Sequence, residues 1–173
     1  MSNIFSRIAG SVMKHGRDYS KGEDHLEYKG VTECPKCHNV RFEKRWLHSI
    51  ADLRKEGEEE PIVARTEKCP ACKIIDGGNY EGELFVEGFR EEQKEELLNL
   101  IHNYCARATE IDPQDRVIKI EDTEKGLRIT TVENELTDRL AKKIKDAFNH
   151  VNIHFSHGGE GAEADRVRVT FEN

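Results

Sequence analysis

No stretch of about 18 consecutive apolar residues occurs in the chain, so no helix is expected to cross a membrane. No secretory signal opens it either: "MSNIFSRIAGSVMKHGR" lacks a long apolar core and a small-residue cleavage site. A reducing, cytoplasmic setting without disulfides is the expectation. There is no excess of positive charge. The formal net charge is −7, with 14 Lys and Arg against 13 Asp and Glu in residues 1–80, and 13 against 21 in residues 81–173. Such a chain does not coat polyanions along its length, and any nucleic-acid contact has to come from a local patch. Signals of catalysis are missing as well. "GGEG" is followed by no Lys-Ser/Thr pair and no helix, so it is no phosphate loop. A nucleophile elbow and H-E-x-x-H are absent. Ser156 and His157 are neighbours in sequence, which point apart on a strand. The acidic pairs Glu91-Glu92 and Glu95-Glu96 belong to the solvated face of a helix. The chain is therefore read as non-enzymatic.

What the sequence does contain is cysteine in a pattern. "CPKC" and "CPAC" place Cys34, Cys37, Cys69 and Cys72 in two knuckles with 31 residues between them. Four thiolates are the ligand set of one closed tetrahedral zinc site, and the proline in each knuckle presets a tight turn. The expectation is one structural Zn2+ in a ribbon spanning residues 31–76. A redox dithiol is the weaker reading, because no helix is expected to start at Cys72. His38 and His48 are potential replacement ligands, but four cysteines already complete the set. Within the spacer, "NVRFEKRWLH" reads as one strand and "PIVARTEK" as its partner, with "ADLRKEGEEE" an exposed charged excursion between them.

Residues 1–30 read as a flexible arm. Its Ile4, Phe5, Ile8, Val12 and Met13 form either a fraying helix or a segment that docks on a protein partner. Residues 77–173 read as an α+β domain, of which residues 80–173 are expected to fold without the ribbon. "YEGELFVEG" is a strand with Tyr80, Leu84 and Val86 on one side. "REEQKEELLNLIHNYCARA" is an amphipathic helix with Leu97, Leu98, Ile101, Tyr104, Cys105 and Ala108 on its apolar face, ending before Asp112-Pro113. Cys105 is thus a small core residue. "RVIKIED" and "LRITT" form a hairpin. "ENELTDRLAKKIKDAFNH" is a second helix with Leu136, Leu140, Ile144, Ala147 and Phe148 inward, and Thr130 or Thr131 is the expected cap. "VNIHF" and "RVRVTF" are further strands. The order is the split βαβ, ferredoxin-like β-α-β-β-α-β with one added strand, and two helices should cover one face of the sheet.

Around the knuckles lie Lys36, His38, Arg41, Phe42, Lys44, Arg45, Trp46 and His48. Lys36, Arg41, Lys44 and Arg45 suit phosphate contacts, and Trp46 suits stacking on an unpaired base. Trp46 fits equally well as part of the ribbon's own small core. The uncovered sheet face should display Glu83, Phe85, Lys119, Arg128, His154, Arg166 and Arg168. Its one aromatic disfavours recognition through stacked bases, although its arginines suit an RNA backbone or an acidic protein. A non-enzymatic RNA-binding factor is the leading expectation. A zinc-dependent protein–protein adaptor without direct RNA binding is the alternative.

"CPACKIIDGGNYEGELFVEG" resembles the second knuckle of the zinc-ribbon region in the ribosomal large-subunit export adaptor family, named after the third nonsense-mediated-decay gene. Cys-x-x-Cys, Gly-Gly-x-Tyr-Glu, a strand and a Gly stand in the same order. The helix that follows and "GLRITTVENELTDRLAKKIKDAF" look like that family's next domain. The likeness covers about residues 31–156 and extends to small prokaryotic zinc-ribbon proteins. It implies binding to the large ribosomal subunit and its RNA, with Cys34, Cys37, Cys69 and Cys72 as zinc ligands. The family's longer members have more Cys-x-x-Cys pairs, further domains and an export tail, so nuclear export is not implied here. Gly77-Gly78 is expected to turn the chain stiffly from knuckle to sheet through positive φ.

Overall fold

The computed structural model describes residues 30–55, 62–156 and 164–172. The N-terminal arm up to residue 29, residues 56–61 and the loop carrying His157 and "GGEG" lie outside the described residues. The described chain is α+β, with two mixed sheets and four helices.

The first sheet forms around Val31, Val40 and Leu53. Strands β1 (Gly30–Glu33), β2 (Val40–Phe42), β3 (Arg45–Leu47) and β4 (Ile62–Thr66) run in the order β3-β2-β1-β4. "NVRFEKRWLH" is two strands rather than one. Glu43 takes a φ of 52° and turns the chain, so Arg41 faces Trp46 across an antiparallel hairpin. "PIVARTEK" pairs with β1, in parallel, and not with that hairpin. A parallel pair needs a long connection, and the excursion expected to be exposed supplies it with a helix, α1 (Ile50–Lys55). Leu53 anchors this helix, fully buried against Val31 and Val40. Asp52 accepts the Ser49 backbone N–H at 3.1 Å at its start.

A helix also forms at the second knuckle, contrary to expectation. In α2 (Pro70–Asp76), Pro70 presets φ at the first helical position and Cys69 is the N-cap. Gly77 ends it with an ordinary φ of −74°. Of the glycine pair, Gly78 alone takes the left-handed conformation, φ 68°, so the corner needs one special glycine rather than two.

The second sheet is built from β5 (Gly82–Glu87), β6 (Val117–Thr123), β7 (Gly126–Thr131), β8 (Val151–Ser156) and β9 (Asp165–Phe171), with α3 (Glu91–Ile111) and α4 (Asn134–Ala147). Period-2 alternation puts Leu84, Val86, Leu127, Ile129, Val167 and Val169 on one face. Both helices cover that face, α3 through Leu97, Ile101 and Cys105, and α4 through Leu140, Ala141 and Ile144. Ala147 is exposed, and Ala141 takes the inward place expected of it. The threonines do not cap α4. Thr130 and Thr131 are buried in β7, and Glu133 is the N-cap. Tyr80 lies outside β5, and its hydroxyl accepts from Arg128 on the open face at 3.2 Å rather than joining Leu84 and Val86.

The element order β-α-β-β-α-β is present, and β7 splits the parallel strands β5 and β6. The order across the sheet is β6-β7-β5-β9-β8. The added strand β9 is therefore inserted between β5 and β8, parallel to β5 and antiparallel to β8.

Candidate metal centre

Two local turns bring the cysteines together. The first knuckle closes with the His38 N–H on the Cys34 carbonyl at 2.9 Å and a positive φ of 60° at His38. The second is the first turn of α2. The four Sγ atoms of Cys34, Cys37, Cys69 and Cys72 all lie within 4.8 Å of one another, and those of Cys37 and Cys69 are 3.7 Å apart. A tetrahedral ion with sulfurs at about 2.3 Å spaces its ligands about 3.8 Å apart. The set thus fits one metal ion.

Backbone donors converge on the sulfurs. The Cys69 N–H reaches Cys34 Sγ at 3.3 Å, and the Cys72 N–H reaches Cys69 Sγ at 3.4 Å. Burial alone would raise the Cys34 thiol, but the N–H groups of Cys69, Cys37 and Lys36 outweigh it and bring it down to about 6. Burial pushes Cys69 up to about 12, and it raises Cys72 as well. Four thiolates at this spacing repel one another. A metal-free centre therefore retains protons, which an incoming cation displaces.

His38 and His48 are occupied elsewhere. His38 Nδ1 lies 2.8 Å from a Glu33 carboxylate oxygen, and His48 Nε2 lies 2.8 Å from the Thr109 carbonyl oxygen. Cys105 is a core residue of α3, its thiol pushed up by burial to about 11.

The second domain completes the centre with residues that no sequence pattern marks. Arg116, between α3 and β6, donates from Nη2 to Cys37 Sγ at 3.3 Å and from Nη1 to Cys72 Sγ at 3.6 Å. Burial works against the guanidinium's charge, but the cysteine sulfurs outweigh it and raise Arg116 above its ordinary value. Gln114 accepts the Ala71 N–H at 3.0 Å. Val132 is buried in one cluster with Cys34, Cys69, Ala71 and Cys72, and Ile118 and Trp46 pack against it.

The expected basic residues surround this centre. Lys36 pairs with Asp76, which also takes Lys68 at 2.6 Å. Arg41 lies 4.0 Å from Glu67, which also takes Lys73 at 2.7 Å. Each carboxylate is thus shared by two cations. Lys44 and Arg45 stand exposed at the hairpin turn and the start of β3. Trp46 is half-buried beside the cysteines, with the Arg41 guanidinium 6.0 Å from its ring centre.

The open sheet face carries ion pairs of its own. Glu83, nearly buried, binds Arg128 at 2.6 Å and Arg166 at 2.7 Å. Arg128 also pairs with Glu121 at 2.9 Å, and Arg168 pairs with Glu87 at 3.5 Å while lying over Phe85. Its arginines are matched by carboxylates on the same face. Among the described residues, no helix is long and apolar enough to cross a membrane. Compared with known proteins, the chain matches no protein-family model and no curated sequence.

Proposed function

We propose that the protein is a non-enzymatic RNA-binding module whose knuckle unit is held by one structural zinc ion. An all-thiolate, tetrahedrally spaced set favours zinc over harder cations, which prefer oxygen ligands. The sharing of Asp76 by Lys36 and Lys68, and of Glu67 by Arg41 and Lys73, carries the RNA reading. In these two clusters four cations share two carboxylates, although the whole chain is acidic. That is the local patch an acidic chain needs in order to hold a polyanion. The resemblance of the second knuckle and its Gly-Gly exit to the ribosomal export adaptors favours RNA of the large ribosomal subunit as that polyanion. The second domain, a ferredoxin-like arrangement with β9 inserted, serves as the rigid support.

The test is binding of large-subunit RNA fragments across a salt series. Replacing Arg41, Lys44 and Arg45 by Ala should weaken binding and lower the salt slope, by about one unit for each phosphate no longer neutralised, with zinc content unchanged. An unaltered slope would exclude Arg41, Lys44 and Arg45 as phosphate contacts.

One observation favours the alternative, a protein–protein adaptor. β4 is exposed along its whole length and presents Ile62, 78% exposed, and Val63, 39% exposed, at the edge of its sheet. An apolar edge strand is a ready template for a partner's strand. A partner that stays bound after nuclease treatment, with no RNA affinity at moderate salt, would favour that reading.

A further inference from the structure

We propose that Arg116 is a positioning residue for the metal–thiolate centre and couples metal occupancy to the docking of the second domain on the knuckles. The inference rests on the metal reading above. A divalent ion with four thiolates carries a net charge of −2, and the centre is largely buried. Uncompensated charge in such a place is costly. Arg116 supplies the one guanidinium donating to the cysteine sulfurs among the described residues, and its fork reaches one cysteine of each knuckle. It thereby links both halves of the ligand set to a residue of the other domain.

The guanidinium is aimed rather than merely near. Its Nε donates to the Pro113 carbonyl at 2.6 Å, which fixes the fork's direction. The segment around it is braced at each step. Asp112 Oδ1 accepts the Gln114 N–H at 2.8 Å, Gln114 Oε1 accepts the Ala71 N–H at 3.0 Å, and the Arg116 carbonyl accepts the Val132 N–H at 2.9 Å. Val132 is 1% exposed, packed in the cluster of buried cysteines. The knuckle unit therefore touches the second domain through a guanidinium, an amide and the apolar Val132 and Ile118 around one short segment, and through His48 on the Thr109 carbonyl of α3 at 2.8 Å.

When the ion leaves, nothing holds the four sulfurs at the spacing of one ion, so Cys37 and Cys72 no longer stand where both arms of the Arg116 fork meet them. Both N–H···S bonds are then lost together. The half-buried guanidinium then lacks its partners, and the segment loses its reason to stay against the knuckles. Coupling of this kind is reciprocal: what metal does for docking, docking does for metal. Donors of this kind around a metal site typically account for about 10–100-fold in metal affinity.

The experiment uses the full chain. Zinc affinity is measured by competition with a chromophoric chelator for the native protein, Arg116→Lys and Arg116→Ala. Cobalt(II) serves as a spectroscopic probe, and hydrogen exchange is followed in the native chain with and without chelator. Arg116→Ala should lose about 10–100-fold in affinity, with Arg116→Lys in between because it keeps the charge and loses the fork. The sulfur-to-cobalt charge-transfer band should move to lower energy in Arg116→Ala, since N–H donors stabilise the sulfur lone pairs. A role in packing alone would not move it. Chelation should raise exchange across residues 112–118 and at Val132 while β8 and β9 stay protected.

Affinity within about twofold of native in Arg116→Ala, or an unmoved cobalt band, would overturn the proposal while leaving the metal reading intact. So would unchanged exchange at residues 112–118 in the native chain after chelation, a result that does not depend on the variant folding. A native chain that binds no zinc would overturn both readings together.

Discussion

The two halves of the molecule bury apolar surface on different scales. In the second domain one continuous cluster runs from Leu84 and Val86 on β5, through Leu97 and Ile101 on α3, to Ile144 on α4 and Val169 on β9. In the knuckle unit the apolar residues divide between Val31, Val40 and Leu53 on one side and the cysteines with Ala71 and Val132 on the other. Every residue of β4 is exposed. Among the described residues, a sheet of short strands with so little core does not by itself offset the entropy of ordering it. The difference teaches where each half can draw its stability: one from packing, the other, on the metal reading proposed above, from an ion and from docking on its neighbour.

The largest effect should come from removing a ligand. Cys69→Ser takes away a buried sulfur that also caps α2. Structural zinc binding is worth on the order of 10 kcal/mol, so this variant should lose the ion and the knuckle fold. Limited proteolysis should then cut within residues 30–76 and leave a resistant fragment that begins near Tyr80. Resistance of both halves would break the comparison.

A smaller loss is expected from the packed half. Ile129 is fully buried on β7, opposite Leu84 of the central strand. Ile129→Ala should cost about 2–5 kcal/mol in denaturant unfolding of that domain, with one zinc still bound. Loss of the ion in this variant would mean that the halves do not draw on separate sources.

The pH dependence of metal binding sharpens the account of the centre. Burial holds the Cys69 thiol up at about 12 and raises Cys72, so both carry protons at neutral pH without metal. Binding must release those protons, and affinity therefore rises with pH. Cys34, held down at about 6, adds to this dependence only on the acid side of that value. Zinc affinity measured at about pH 6, 7 and 8 should climb steadily. A flat profile would mean that the thiols are already ionised in the metal-free state.

Much of this is legible in the sequence because the signals are local or periodic. Two Cys-x-x-Cys pairs name their own ligand set. Leu97, Ile101, Cys105 and Ala108 recur at helical spacing, and all four are buried. The hairpin of β6 and β7 follows from alternation on both sides of "TEKG". What escapes a sequence reading is long-range or hidden by a neighbour. Arg116 lies 79 residues from Cys37 and 44 from Cys72, with no period linking them. The insertion of β9 between β5 and β8 is a choice of neighbour that element order leaves open. Leu53 is hidden among the charges around it, yet one leucine suffices to anchor α1. Counting in twos from Leu84 puts Tyr80 on the core face, but β5 begins only at Gly82. Lys68 and Lys73 carry no signal of their own, because their carboxylates, Asp76 and Glu67, gain a second cation only when the knuckles fold together.

The most direct test of the central claim is an amide NMR spectrum of the zinc-loaded chain, recorded before and after a strong chelator. The knuckle amides of residues 30–76 should lose their dispersion, with changes spreading into residues 112–118 and Val132. The amides of β5, β8 and β9 should keep their positions. A knuckle unit that stays dispersed after complete removal of the metal would contradict the claim that an ion holds it.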